Sequence, residues 1–400
     1  MEEILNVNDE VVFDDRITDY QWHNHMPING SMNNSEEIII SIQQQDIFTV
    51  PSKSFLYIQG QVKKEADQDV KLVRNAFLFL FDEIKYQLNG LLIDHVRNPG
   101  ITTTLKGYVS FTRDKVETLE IAGWKPPSID VNLTDEEGNF DCCIPLDTVM
   151  GFFEDYNRII LQGRHELILH RSKSDNDSML AAHATTKANI EIKSIQWRVP
   201  YVKVSDQQKL KFLNVVNRGK TIPMAFRSWD LIEYPTLPAS TKHTWALKTS
   251  TNLEKPRYVI VGFQTNRKHN FTADPTIFDQ CNITNVKLFL NSQAYPYHDL
   301  NVNYNKNYYS SIYYMYQDFQ NSYYGRENNP LLCKHMFKDL APIIVIDCSR
   351  QSEAIRSSSV NIRIEMECSE AFKANTTAYA LILHDTLVEY SPLQGLVRRI

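Results

Sequence analysis

No stretch of the 400 residues approaches the roughly 18–20 apolar positions that a membrane helix needs, so no membrane span is expected. The start has no basic segment followed by an apolar run, and no secretory signal is expected there. Positive charge is not in excess either. The net charge is −6, which leaves no global positive field to draw the chain to nucleic acid. Residues 1–15, MEEILNVNDEVVFDD, hold six acids and no base, which makes an acidic arm and not a basic genome-binding tail. Cysteine pairs with metal or redox spacing are missing. The six cysteines (Cys142, Cys143, Cys281, Cys333, Cys348, Cys368) are scattered, none in a Cys-x-x-Cys, and a reduced intracellular origin fits. The phosphate-loop GxxxxGKS/T, the esterase GxSxG and the zinc-protease HExxH do not occur, so common nucleotide, ester and zinc-peptidase sites have no signature.

What is present is globular: 42% hydrophobic and 22% charged, with 20 Tyr and 19 Phe. The length suggests two or three domains. Period-2 alternation dominates. In NIRIEMEC (361–368), Ile362, Ile364, Met366 and Cys368 face one way and polar residues face the other, as in a half-buried strand. FLYIQGQV (55–62) and EIIISIQ (37–43) behave alike. Asn89-Gly90, between two strand-like runs in IKYQLNGLLI (84–93), supplies the positive φ angles of a tight hairpin. Helical patterns are few. SDQQKLKFLNVVNRG (205–219) has Ser205 as N-cap, Gln208 to complete a capping box and Gly219 as stop, with Leu210, Leu213 and Val216 on one face. PLDTVMGFFEDY (145–156) opens on Pro145. The expected class is all-β with short inserted helices.

The chain also repeats. IKYQLNG (84–90) and VKLFLNS (286–292) match, with Lys85 and Lys287 202 positions apart. SFLYIQG (54–60) matches RYVIVG (257–262), with Gly60 and Gly262 again 202 apart. PLDTVMGFFED (145–155) resembles PLLCKHMFKD (330–339), each followed by an apolar run, RIIL (158–161) and PIIVID (342–347). NIEIKSIQW (189–197) corresponds in place to TAYALILHD (377–385). Matches in the same order point to a duplication. Two tandem jelly-roll β-sandwiches, a double jelly roll, are the leading architecture. The expected division is an N-terminal arm (1–34), a first jelly roll (35–204), a linker helix (205–219) and a second jelly roll (220–400).

Several stretches resemble a known family. They are YQLNGLLIDHVRNPG (86–100), LEIAGW (119–124), SIQWRVPYVKVSD (194–206), FRSWDLIEYPTLP (226–238), LEKPRYVIVGFQT (253–265), NVKLFLNSQAYPY (285–297) and AYALILHDTLVEYSP (378–392). In combination they are similar to the double jelly-roll major capsid proteins of Maverick/Polinton-like (adintovirus-like) DNA viruses, which include copies integrated in animal genomes. The resemblance implies a structural protein and not an enzyme. Three subunits of two jelly rolls each would form a pseudo-hexameric capsomer, and capsomers an icosahedral shell. Its partners would be other copies of itself and minor or penton capsid proteins, with no sequence-specific nucleic acid. It would reside in the virion, and inside the host cell before assembly.

Candidate chemistry is sparse. His23 and His25 form a His-x-His of the kind that binds metal in cupins, but the stretch is polar and no acid follows at cupin spacing; solvated or locally bonded histidines are expected. Asp94-His95 and His384-Asp385 lack a nucleophile and are read as strand-edge polar residues. Adjacent Cys142 and Cys143 read as buried or idle thiols. No catalytic residue, cofactor or metal site is expected. Residues 304–324 hold eight of the 20 tyrosines, and Tyr309, Ile312, Tyr313, Tyr316 and Tyr323 fall near helical spacing. One reading is a helix packed over the second barrel. The other is a subunit contact through Tyr308, Tyr309, Tyr313, Tyr316 and Tyr323, since tyrosine is enriched at interfaces. A two-domain cupin, either metalloenzyme or storage protein, would need metal-binding histidines in both halves. A tandem-sandwich lectin would be favoured by a signal peptide and disulfides.

Overall fold

The computed structural model describes residues 16–43, 48–65, 68–126, 132–247, 255–351 and 360–400. The acidic stretch 1–15 lies outside the described residues. The first half supplies eight main strands: β1 (Ile17–His25), β2 (Glu37–Ile42), β3 (Phe55–Lys64), β4 (Phe81–Leu88), β5 (Leu91–Arg97), β6 (Asn139–Pro145), β7 (His165–Arg171) and β8 (Ala188–Val204). The second supplies β9 (Ile222–Tyr234), β10 (Lys242–Leu247), β11 (Pro256–Thr265), β12 (Ile283–Leu290), β13 (Gln293–Tyr295), β14 (Ile344–Asp347), β15 (Ile362–Cys368) and β16 (Thr376–Ser391), with a short β17 (Leu396–Arg399) on its edge. The helices are α1 (Pro99–Ser110), α2 (Arg113–Thr118), α3 (Gly151–Asp155), α4 (Asp206–Asn217), α5 (Ser310–Tyr324) and α6 (Lys334–Leu340).

Four antiparallel sheets carry the fold. The first half has the orders β1-β8-β3-β6 and β2-β7-β4-β5; the second has β9-β16-β11-β14 and β10-β15-β12-β13. Adding eight to every strand of the first pair yields the second, so the chain is built twice as two jelly rolls. Lys85 lies in β4 and Lys287 in β12, the counterpart strands. Each stands three residues before the pair that closes its hairpin, Leu88 opposite Leu91 and Leu290 opposite Gln293. Asn89, Gly90 and Asn291 at these turns have φ of 51°, 81° and 55°, a region open to Gly and tolerated by Asn. Gly60 and Gly262 likewise lie in counterpart strands, opposite Ile192 of β8 and Tyr379 of β16.

One expected match fails. Residues 145–155 follow β6, whereas 330–339 precede β14. Since β6 pairs with β3 and β14 with β11, the counterpart of 344–347 is β6 and not the run 158–161. Short apolar runs after Pro-Leu look alike in sequence, and only strand pairing tells them apart.

The alternating strands bury what their pattern predicts: Ile38, Ile40, Ile42, Leu56, Ile58, Val62, Ile362, Ile364 and Met366 are all core. Part of the expected arm is a strand, because residues 17–25 run along 197–204 of β8. α4 ends at Gly219 as expected, with φ 63°. It starts at Asp206 with Ser205 as N-cap residue, as expected, but Ser205 makes no side-chain cap bond, and of the expected apolar face Val216 is buried while Leu210 and Leu213 are exposed. The segment opened by Pro145 is one 3-10 turn (146–148) and then α3, broken where Met150 is extended.

The halves are covered unequally. β3 alternates, one face in and one out. In its counterpart β11, residues 258–264 are all buried, and β16 is buried continuously from Thr376 to His384. Both faces of the second half's sheet are therefore covered, and α1 and α3 of the first half pack against it. α1 is buried at all twelve positions.

Candidate assembly surface

α5 carries the tyrosine stripe, and most of it points inward. Tyr309, Tyr316 and Tyr323 are buried within the subunit, and Tyr313 is half-buried with its hydroxyl donating to the Leu332 carbonyl (3.2 Å). Tyr316 lies 4.9 Å from the Phe337 ring of α6, Phe319 stacks on Tyr323 at 4.7 Å, and Tyr258 of β11 meets both. Burial pushes the Tyr316 and Tyr323 hydroxyls far above their ordinary pKa. The side chains of Tyr309, Tyr316 and Tyr323 thus pack inside the subunit, and of the expected set Tyr308 has the most exposed ring. Tyr308 is free, 64% exposed. So are two tyrosines outside the expected set, Tyr314 at 60% and Tyr297 at 92%. Tyr314 directly follows half-buried Tyr313, so the helical turn aims it away from the buried stripe.

The joint between the halves is polar and dense. Lys106 of α1 is buried, and its Nζ donates to Glu154 Oε1 (2.9 Å), Ser110 Oγ (3.0 Å) and the Tyr324 hydroxyl (2.7 Å), 4.5 Å from the Trp229 ring. Burial pulls the Lys106 ammonium below its ordinary pKa, and Glu154 offsets part of this. Beside it Arg227 of β9 meets Asp155 of α3 through two side-chain bonds, 2.9 and 2.7 Å, with its guanidinium 3.7 Å from the Tyr323 ring. Gly151 lets α3 come this close: a Cβ there would overlap the Arg227 carbonyl.

Next to it lies a titratable group that strand order hides from the sequence. Asp94 is buried and accepts the Phe152 and His95 N–H groups (2.9 and 3.0 Å). Burial pushes its pKa up to about 7. Asp230 of β9 meets His384 Nε2 at 3.1 Å and His95 Nε2 at 3.9 Å. Asp94 and His384 are thus joint residues and not strand-edge ones, whereas Asp385 turns outward to Arg257. No thiol or hydroxyl nucleophile is among these contacts.

The His-x-His lies in β1. His25 Nε2 is 2.8 Å from the Tyr201 hydroxyl, and His23 is 3.4 Å from Gln21. Cys142 is buried and Cys143 half-buried, both free. Among the described residues no group of three or more His, Cys, Asp or Glu could hold a metal ion, and no helix is long and apolar enough to cross a membrane.

The outward face of the sheet β1-β8-β3-β6 has its own cluster. Trp22 lies 5.2 Å from Phe55 and 6.0 Å from Tyr20, and the Arg198 guanidinium lies 4.0 Å from the Tyr57 ring. Trp22 is 49% and Tyr20 41% exposed. Alternation gives the signal: Tyr20 and Trp22, like Phe55 and Tyr57, are aromatics at i and i+2 on the side away from the core.

The sequence profile of the double jelly roll-like domain matches residues 70–388. No curated protein matches the chain. Among solved structures, the mavirus major capsid protein aligns with a TM-score of 0.60 at 11% identity, over 99% of this chain and 92% of that one. The Faustovirus major capsid protein aligns at 0.60 and 9%, over 97% and 94%. A chain of the PBCV-1 virus capsid aligns at 0.61 and 13%, over 98% of each. At these identities the likeness is one of fold.

Proposed function

The chain belongs to the double jelly roll-like family, and from that premise we propose that it is the major capsid subunit of a DNA virus of Maverick/Polinton-like type, or of a copy integrated in an animal genome. Three subunits form a capsomer with six jelly rolls around its axis, and capsomers tile an icosahedral shell with minor capsid proteins at special positions. The protein works by burying area between copies, not by chemistry. The observation that supports this best is the full-length correspondence: nearly the whole chain aligns with nearly the whole of structures named as the mavirus and Faustovirus major capsid proteins. Interfaces of obligate assemblies bury on the order of 2,000–5,000 Å². Electron microscopy and sedimentation of the purified protein test the reading. Trimers of hexagonal outline, or closed particles, are expected. A sharp monomer at micromolar concentration, unchanged by salt, would overturn it.

A further inference from the structure

α4 joins the two halves and carries more than a connection requires. Of its 12 residues Val216 is buried, and Phe212 leans on Phe48 with ring centroids 5.3 Å apart. The open side shows Leu210, 62% exposed, together with Leu213 and Val215. Lys209, Lys211, Arg218 and Lys220 are exposed as well, and none of these four meets an acid among the described residues. A solvated face needs bases but not leucines, and a packed face needs leucines but not bases. Both together on one open helix mark a surface that takes an acidic and apolar partner.

We infer that this partner is the acidic stretch 1–15 of the same chain, docked along α4. The inference concerns one chain and stands apart from the capsomer reading. Three observations carry it. The first is place. The Ser205 backbone N–H, directly before α4, donates to the Arg16 carbonyl at 3.0 Å, so the acidic stretch joins the described chain at the N-terminal end of α4. The second is reach. A helix of this length measures about 18 Å, and 15 residues span up to about 50 Å when extended. The third is complementarity. Glu2, Glu3, Asp9, Glu10, Asp14 and Asp15 are interleaved with Ile4, Leu5, Val7, Val11, Val12 and Phe13, and no base is among them. Residues 203–220 hold five bases against one acid, Asp206, and of the five only Lys203 is engaged, by Asp19 at 3.3 Å. Each side supplies the charge that the other lacks, and both supply apolar side chains. The docked stretch covers the leucines and neutralises the bases, which closes α4 to other anions until the stretch leaves.

Two measurements on the full chain test this. The first is carbodiimide cross-linking, which joins a carboxylate to a lysine in contact, mapped by mass spectrometry. Light and heavy-isotope chains are refolded together, so that any oligomer holds both. Links from the acids of 1–15 to Lys209, Lys211 or Lys220 are expected, and only within chains of one label. Links that mix the labels would assign the stretch to a second copy, and an absence of links to these lysines would leave α4 without it; either result overturns the inference. The second is hydrogen exchange of the α4 amides, an exposed helix whose protection a docked partner raises. Deleting residues 1–15 is expected to speed that exchange by about ten-fold or more, while the amides of the buried helix α1 stay unchanged. Lys209→Glu with Lys211→Glu in the full chain should act in the same direction, and serves if the shortened chain does not fold. In 1 M salt, where charges are screened beyond about 3 Å, the protection should fall as well. Exchange at α4 that neither the deletion nor the charge reversal alters would overturn the docking.

Discussion

Arg227 of β9 holds Asp155 of α3 by three hydrogen bonds: two from its guanidinium and one from its own backbone N–H, at 2.9 Å to Oδ2. One residue belongs to each half of the chain, so the bond set ties the two jelly rolls. Asp155→Ala leaves a partly buried guanidinium without its acceptor, and breaking one partner of such a pair costs about 3 kcal/mol. The expected outcome is a lower denaturation midpoint, or a transition split in two as the halves uncouple. Arg227→Lys should also lose stability, because a lysine cannot make the paired geometry. Chemical denaturation followed by tryptophan fluorescence reads both. A midpoint within error of wild type for Asp155→Ala would show that the joint is held elsewhere.

Asp94 makes the stability of the joint depend on pH. Its carboxyl titrates at about 7 in the fold against 3.8 when free. The fold therefore favours the protonated form. That contribution is complete below 3.8 and is lost as pH rises through about 7, by about 1.4 kcal/mol for each pH unit between the two values. Asp94→Asn keeps an oxygen to accept one of the two N–H bonds and cannot ionise. The variant should gain on wild type between pH 4 and 7, and the gap should stay constant above. His95, lowered by burial, titrates in both chains, so the difference isolates Asp94. Equal gaps at pH 5 and pH 8 in urea melts would exclude this role.

How far this was readable from sequence depends on what each pattern encodes. Half-buried strands such as 361–368 announce themselves because one face stays wet, and Asn89-Gly90 announces a hairpin through backbone sterics. β11 and α1 give no such stripe. α1, PGITTTLKGYVS, is buried all round, and a helix covered on every side loses the periodicity that reveals it. The tyrosine stripe was legible as a stripe, but a stripe says only that one face is covered, not by what. Here its own barrel covers it. The meeting of His95 with Asp230, which also holds His384, was illegible for another reason: it depends on which strands of the two halves lie side by side.

Gly60 tests packing within the first sheet. A Cβ there would meet Phe140 Cζ at 2.5 Å and the Glu191 carbonyl oxygen at 2.7 Å. The backbone oxygen cannot move without breaking the β3–β8 ladder. Gly60→Ala should therefore cost about 1–3 kcal/mol, as overpacked cores do. Gly30→Ala, with open space around it, is the control and should change stability by less than about 0.5 kcal/mol. Thermal midpoints of the two variants decide it; equal midpoints would contradict the crowding at Gly60.

Neighbouring positions on α5 should separate folding from assembly. Tyr316 is buried, packs on Phe337, and its hydroxyl accepts the Leu332 N–H at 3.1 Å. Tyr316→Ala opens a cavity and leaves that N–H without its partner. Large-to-small changes of an aromatic in a core cost about 3–5 kcal/mol. Tyr316→Phe keeps the ring and loses only the acceptor, at about 1 kcal/mol. Tyr314 is two residues away on the open side. Its ring has little of the subunit to pack on, so Tyr314→Ala should move the midpoint of the isolated subunit by less than about 0.5 kcal/mol. The order expected for subunit stability is thus Tyr314→Ala above Tyr316→Phe above Tyr316→Ala. The order for association differs: Tyr314→Ala should weaken it, while Tyr316→Phe should leave it unchanged. Calorimetry on dissociated subunits and sedimentation on assembled ones give the two readouts on the same proteins. If Tyr314→Ala destabilised the lone subunit as much as Tyr316→Ala, the helix would be packed on both faces within one chain, and no part of it would remain to meet another copy.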